Sequence, residues 1–533
     1  MRRGRCRARS ASGPPRPRPD VKTSRPTSAG PATPPARCGC SRPPAGTATC
    51  CANRMSPAWP TAWRAPCPPC DEPAVPRPDG RGTAPCDPTI ESIPMQTTES
   101  ALPPKRPALW RDRRFLWLCA AWFCSILGQQ TALIALPWLV LQLGGDGLAL
   151  GLIVTAMELP RAVFIIVGGA VADRHSPRRV FQCSLLCCAA LLAALGLATH
   201  GGGLPLALLY PFAAAMGVIA AFTGPSAAAL LPNTVPEAQL QQANSCFMAV
   251  NQLTLLAGPA LAGALIAMPG VRAGDGLGLA FLLGAACFLA GSLLLTRLPV
   301  SRPADAPPRQ SAAGILRAIG RGAAWTWGDA TLRALFFYWA VIAFLTAGPI
   351  QIGLPLLVRD ALRLDAGHFG TLLSSQAAGS LLGMALLAAL PARALGRLGW
   401  MVFCVDGLMG ALIIGLGLSG DFVASSAMMC LIGLLGGLVQ VRLMAWIQSR
   451  IPSDMRGRVM SFLMFMMAAV TPLSTTLAGL ILASAPVRGL YAGAGLALMA
   501  IAVLALSSAR LRGIGAPEKT GDVRPVHSLQ TGD

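Results

Sequence analysis

Twelve long apolar runs recur between residues 115 and 509, and polar and charged residues gather in the short gaps between them. Each run approaches the ~20 residues a helix needs to cross a bilayer. The runs predict spans at 115–143, 148–172, 180–199, 204–230, 241–268 and 276–296, then at 334–358, 367–390, 398–419, 421–447, 459–484 and 489–509. Backbone groups cannot stay unpaired in hydrocarbon, so runs of this length must be helices. A spanning barrel would instead alternate over strands of about 10 residues, and that alternation is absent here. The pattern predicts an all-α membrane protein with twelve transmembrane helices.

The first 94 residues break the pattern. They hold 21 of the 46 Pro, 8 of the 17 Cys and 15 of the 44 Lys and Arg, with no helix or strand period. Pro is too dense there for helices and apolar residues are too sparse for a core. The basic start lacks the apolar run of a signal peptide. Cys67 and Cys70 form a lone CxxC, whereas a zinc site usually needs two such pairs, so no metal is expected. The expectation is a disordered Pro/Arg/Cys-rich extension over 1–94, with Met95 as the native start and the preceding codons as read-through.

Composition agrees with a lipid-dissolved body. Hydrophobic residues make up 53% of the 533 and charged residues 13%, against about 25% charged in soluble domains. The net charge of +21 could suggest nucleic acid, but 41 of the 44 basic residues are Arg. That bias, with the load of Ala, Gly and Pro, fits a GC-rich coding sequence; no nucleic-acid partner is expected. The Arg distribution is more telling. Loops after even-numbered spans hold 14 Arg and loops after odd-numbered spans hold four, Arg272, Arg359, Arg363 and Arg488. Positive-inside placement then puts both termini in the cytoplasm, and the expected location is the cytoplasmic (inner) membrane. The nine Cys beyond Met95 all fall within spans, which implies no secreted disulfide framework.

The halves echo each other. Ala135-Leu136-Pro137-Trp138-Leu139-Val140 in span 1 resembles Gly353-Leu354-Pro355-Leu356-Leu357-Val358 in span 7, an offset of 218; Arg174 and Arg178 match Arg393 and Arg397 at an offset of 219. A repeated six-helix unit puts both copies the same way up, the parallel-repeat plan of a rocking transporter with its site between the halves. The expected organisation is a bundle over 95–296, a cytoplasmic linker over 297–333, a second bundle over 334–509 and a cytoplasmic tail over 510–533. Within the linker, Ile315–Trp327 reads as an amphipathic helix on the membrane surface.

The strongest motif closes span 2: Gly168-Gly169-Ala170-Val171-Ala172-Asp173-Arg174-His175-Ser176-Pro177-Arg178-Arg179. Gly169 would permit close helix packing. Asp173 sits at a membrane exit, where it can face a helix N-terminus or an Arg. Arg174, Arg178 and Arg179 anchor the loop, and plain positive-inside placement would also explain them. This stretch resembles the helix 2–3 signature of the major facilitator superfamily, G-x-x-x-D-R-x-G-R-R. Gly169, Asp173 and Arg174 match; Ser176-Pro177 stands where the loop Gly is usual, and the Arg pair comes one place late. Leu136-Pro137-Trp138, Leu159-Pro160-Arg161, Gly224-Pro225, Ala243-Asn244, Gly258-Pro259 and Arg456-Gly457-Arg458-Val459-Met460-Ser461 resemble the drug/macrolide and enterobactin efflux branch. The resemblance covers roughly 105–510. It implies the major facilitator fold, two pseudo-symmetric six-helix bundles exporting small molecules against inward proton flow. It also implies that Asp173 stabilises one access state against span 11, near Ser453-Asp454.

Span 5 carries Thr254-Leu255-Leu256-Ala257-Gly258-Pro259-Ala260-Leu261-Ala262-Gly263, which resembles the superfamily's antiporter motif G-x-x-x-G-P-x-x-G-G. Gly258, Pro259 and Gly263 match. Small residues here would let the helix approach a neighbour and Pro259 would bend it; ordinary close packing explains the same residues.

Ionisable groups at membrane depth are costly and therefore functional candidates. Glu158 and Arg161 lie three apart on one face of span 2, either as a structural pair or with Glu158 as the proton carrier. Asp406 in span 9 and Arg442 in span 10 could pair across helices in a structural or gating role. Gln129, Gln130, Asn251, Gln252, Gln351, Gln376 and Gln440 are candidates for a substrate cavity, since amides offer donors and acceptors without ionisation. Taken singly, each is read first as a helix–helix hydrogen bond and second as a ligand contact.

Four readings compete. An ATP-driven pump fails, because none of the three Lys follows Gly as a P-loop requires. A membrane-embedded enzyme has little support: no HExxH exists and the four His lie in loops, at span ends or in the tail. A proton-coupled exporter of a small amphipathic drug, macrolide or siderophore remains, against a proton-coupled uptake permease. The expected partners are substrate, protons and lipid, with no cofactor, for a monomer.

Overall fold

The computed structural model describes residues 109–200, 204–268, 273–298, 312–389, 397–508 and 512–513. The expectations for residues 1–94, the tail and Arg393 lie outside the described residues. Each apolar run folds as a helix. The first half holds α1 (Arg113–Gln142), α2 (Gly147–Arg174), α3 (Pro177–His200), α4 (Leu209–Thr234), α5 (Leu240–Ile266) and α6 (Ala273–Thr296). A connecting helix follows, α7 (Ala312–Gly328). In the second half, α8 (Ala330–Gly348) runs on through π-helical turns at Pro349–Gly353 and Leu357–Ala361, with α9 (Leu354–Leu356) between them. Then come α10 (Ala366–Ala389), α11 (Leu398–Leu418), α12 (Phe422–Arg450), α13 (Ser453–Ser484) and α14 (Val487–Ser507). Twelve of these stretches are long and apolar enough to cross a membrane. All twelve coincide with the runs read from the sequence.

Aspartates start many of the helices. The carboxylate of Asp112 accepts from Arg114 N–H at 2.9 Å, Asp146 from Ala149 at 2.8 Å and Asp421 from Ala424 at 2.9 Å. Asp329 accepts from Thr331 at 2.8 Å and Leu332 at 3.1 Å. Each satisfies an orphan donor and faces the positive helix end. Asp275 pairs with His200 and Asp360 with Arg359. Among the described residues, the acids more than a turn from a span end are therefore Glu158 and Asp406.

The two halves repeat one packing scheme. In the first, α2 packs on α4, α3 on α4 and α6, and α1 on α5; in the second, α10 packs on α12, α11 on α12 and α14, and α8 on α13. Glycines set the closest crossings in both. A Cβ at Gly217 would collide with Met157 carbonyl and one at Gly168 with Ala221 carbonyl; the counterparts are Gly433 against Gln376 and Gly383 against Leu434. Backbone contact at small residues is how helices associate where lipid removes the hydrophobic drive. All nine described cysteines are free thiols.

Candidate functional site

Loops that follow odd-numbered spans share one end of the molecule, and the halves meet tightly at that end. On one side α2 lies against α13. A Cβ at Gly151 would sit 2.8 Å from Gly479 Cα, and one at Gly147 would sit 2.5 Å from Leu482 Cβ. One turn further, the Thr155 hydroxyl lies 2.8 Å from Thr476 Oγ1, 3.2 Å from Thr475 Oγ1 and 3.4 Å from the Pro472 carbonyl. On the other side α5 lies against α10. A Cβ at Gly370 would collide with the Pro259 carbonyl, one at Gly263 would sit 2.5 Å from the Ala366 carbonyl, and Ala260 N–H donates to Ser374 Oγ at 3.1 Å. Trp138 stacks on Phe369 with centroids 6.4 Å apart, and Arg359 Nη1 donates to the Leu141 carbonyl at 3.2 Å. That guanidinium meets the negative end of α1.

The span 5 motif thus divides between two neighbours. Gly258 faces α1, where a Cβ would lie 2.7 Å from Gln130 Cβ. Pro259 and Gly263 face the other half. Thr155, Thr475, Thr476, Gly479 and Ser374 were not singled out from the sequence. The signal was present as small residues four apart: Gly147, Gly151 and Thr155 on α2, and Thr475 and Gly479 on α13. That spacing marks a helix-packing stripe.

Beyond the seam the two helices change character. α2 carries the exposed Leu159, Val163, Phe164 and Val167, and α13 the exposed Met464 and Phe465. Among the described residues, no hydrogen bond joins α2 to α13 there. Instead α7 packs on α13 and touches α2, with a Cβ at Gly322 colliding with the Arg458 carbonyl. The amphipathic stretch expected at Ile315–Trp327 is this helix. Asp329 at its end pairs with Arg450 of α12 at 2.9 Å.

Glu158 stands one turn below Thr155 on the same face of α2. Arg161 Nη1 donates to its Oε1 at 3.2 Å, and the Glu158 side chain is 16% exposed against 41% for Arg161. Asp406 differs from the expected pairing with Arg442. Its Oδ2 accepts from the Tyr338 hydroxyl of α8 at 2.7 Å, deep among packed residues, and Tyr338 meets Phe403 edge-on at 4.9 Å. Arg442 Nη1 instead lies 3.3 Å from Met401 Sδ. The physical reason is facing: at Asp406, α11 turns this side chain toward α8.

At the end of α2, a close helix crossing falls at Gly168, and Gly169 beside it is half-buried. The side chains of Asp173, Arg174 and Asp454 lie outside the described residues. The helices that carry them, α2 and α13, are packed partners. Arg178 Nη2 donates to the Thr296 carbonyl at 3.0 Å and so caps the C-terminal end of α6. Arg179 is exposed and lines a cavity.

The candidate amides differ in exposure. Gln129 and Gln440 are exposed, Gln130 is buried against Gly258, and Asn251, Gln351 and Gln376 are half-buried. Gln351 lies in the first π-helical turn of span 7, a feature frequent at functional sites. Gln252 Nε2 lies 3.7 Å from Met384 Sδ across the halves. Outside the spans, Asp365 is held below the usual carboxylate range. Burial pushes it up, but the His368 ring at 2.7 Å, the His368 backbone N–H and the charge of that ring outweigh it. No cluster of His, Cys, Asp and Glu among the described residues has the form of a metal site.

The sequence matches the family model described as Major Facilitator Superfamily over residues 118–475. It is 24% identical over 438 residues to the multidrug efflux pump Tap of Mycobacterium tuberculosis (strain ATCC 25618 / H37Rv), covering 79% of this chain and 99% of that protein. It is 27% identical to Tap of Mycolicibacterium fortuitum, covering 72% and 93%. A shorter match, 24% identical over 27% of this chain and 37% of the relative, is the staphyloferrin A transporter of Staphylococcus aureus (strain NCTC 8325 / PS 47). Among solved structures, a bacterial homologue of the iron transporter ferroportin in an inward-facing state aligns with TM-score 0.58 at 18% identity, covering 74% of this chain and 99% of that one. The nucleoside transporter NupG (D323A mutant) aligns with TM-score 0.57 at 13% identity, covering 73% and 97%.

Proposed function

The chain belongs to the Major Facilitator Superfamily, and on that premise we propose that it exports small amphipathic molecules in exchange for inward-moving protons. The observation that carries this reading is the position of Glu158: an intramembrane carboxylate paired with Arg161, one turn beneath the hydroxyl cluster that joins α2 to α13. The Arg distribution among loops supports placing the seam at the outer membrane face, with both termini in the cytoplasm. In this arrangement the outer end is shut and substrate enters between the halves from the cytoplasm.

Opening the seam separates Gly151 from Gly479 and exposes the Glu158 face of α2 to the outside. Glu158 takes a proton there, its pairing with Arg161 loosens, and the halves return as the proton leaves toward the cytoplasm. Substrate moves the other way on the opposite half of the cycle. The relatives named multidrug efflux pump Tap favour outward transport. The Asp406–Tyr338 pair has a structural role within the second bundle in this scheme.

Inverted membrane vesicles test it. Acidifying their interior with an energised proton pump should drive accumulation of a dye such as ethidium, and Glu158→Gln should abolish it at unchanged expression. Full transport by that variant would reject Glu158 as the carrier. Accumulation only in right-side-out vesicles would mean uptake instead.

A further inference from the structure

A cavity of about 700 Å³ opens where α2, α3 and α4 meet, away from the seam between the halves. It lies within the size range of small-ligand sites. Its origin is geometric. α2 and α4 cross closely at Gly168 and Gly217, α3 packs on α4, and α2 and α3 barely touch. A wedge remains between α2 and α3, floored by Val218, Ile219 and Phe222 of α4. Along α3 it runs from Arg179 through Cys183 to Cys187 on one face. Eight residues of helix carry it about 12 Å down from the membrane exit.

The two ends of the wedge differ in chemistry. Its rim holds the exposed Arg179 and His175 and the first turn of α3; its inner walls are Val180, Val218, Ile219 and Phe222. The side chains of Arg179 and His175 have no ion-pair or hydrogen-bond partner among the described residues, and no carboxylate lines the cavity among them. A cationic rim at a helix N-terminus selects an anion. Apolar walls reaching into the span select a chain attached to that anion. Basic pockets between membrane helices are where anionic headgroups bind.

We propose that this wedge is a binding site for an anionic phospholipid, with its phosphate on Arg179 and His175 and an acyl chain along Val180, Val218, Ile219 and Phe222. A soluble anion would gain nothing from the apolar walls, and a neutral lipid nothing from the rim. The site is independent of the direction of transport.

Native mass spectrometry of the full chain tests it, with phosphatidylglycerol and phosphatidylcholine as probes. Wild type should retain phosphatidylglycerol in preference to phosphatidylcholine. Arg179→Gln should lower phosphatidylglycerol occupancy about five-fold, and Ile219→Trp, which fills the wedge, should lower both. Equal retention of the two lipids by wild type, or undiminished phosphatidylglycerol in both variants, would overturn the proposal. A second reading needs no variant. In nanodiscs, phosphatidylglycerol should slow N-ethylmaleimide modification of the exposed Cys183 and Cys187 relative to phosphatidylcholine, and leave the exposed Cys404 unchanged. Identical rates at Cys183 and Cys187 in both lipids would overturn it.

Discussion

Replacing Gly151 by valine should unlock the seam between α2 and α13 without unfolding either bundle. A Cβ at residue 151 would lie 2.8 Å from Gly479 Cα and 2.9 Å from the Thr475 carbonyl oxygen. Both are backbone atoms, so no change of rotamer relieves the clash. Even alanine requires α2 and α13 to part by about 0.6 Å to reach ordinary contact, and valine requires more. The same displacement stretches the 2.8 Å contact between Thr155 and Thr476. Overpacking of this kind costs about 1–3 kcal/mol. The cost falls only on the state in which the two helices touch, so it shifts the access equilibrium by a factor of about 5–150. A cysteine placed at Leu482, which packs on Gly147 in the closed seam, reports the result through its reaction with a membrane-impermeant maleimide in a cysteine-free background. The labelling rate should rise at least five-fold in Gly151→Val. An unchanged rate would refute the reasoning, since the seam would then tolerate a side chain it has no room for.

Other perturbations have equally definite outcomes. Tyr338→Phe leaves the buried Asp406 oxygen without its 2.7 Å donor; a loss of about 1–3 kcal/mol should appear as a lower apparent Tm, and Asp406→Leu, which offers no acceptor, should largely remove the difference between Tyr and Phe at 338. Asp329→Ala removes both the cap of α8 and the partner of Arg450; about 0.5–2 kcal/mol should be lost, measured the same way. Asp365 has a lowered carboxyl pKa in the fold, so its contribution is complete above its unfolded value near pH 4 and fades as pH falls through the lower folded value. Asp365→Asn should therefore flatten the acid limb of a Tm–pH profile and leave its slope between pH 6 and 8 unaltered by this carboxylate; an unchanged acid limb would contradict it.

The spans and the repeat were legible because hydrocarbon imposes one solution on a long apolar run. The offset near 218 that links Arg178 to Arg397 reappears as paired glycine crossings, Gly217 beside Met157 and Gly433 beside Gln376. Facing was less legible. A helix turns about 100° per residue, so one position decides which neighbour a side chain meets. That is why Asp406 finds Tyr338 of α8. Glu158 and Arg161 could be paired from spacing alone because both lie on one helix. The Thr155–Thr476 contact joins residues 321 apart, and no local pattern connects them. The stripe of small residues on each helix was visible, but which stripe meets which depends on how the two bundles dock.

Alternating access requires the halves to close at one end as they open at the other. Spin labels in a cysteine-free background at Gln142 and Ser484 span the closed end, and labels at His175 and Arg456 span the opposite one; all four positions are exposed. Double electron–electron resonance should record a longer distance for the first pair and a shorter one for the second when a proton gradient and substrate drive the cycle. Two distances that change in the same direction, or neither changing, would contradict alternating access in this chain.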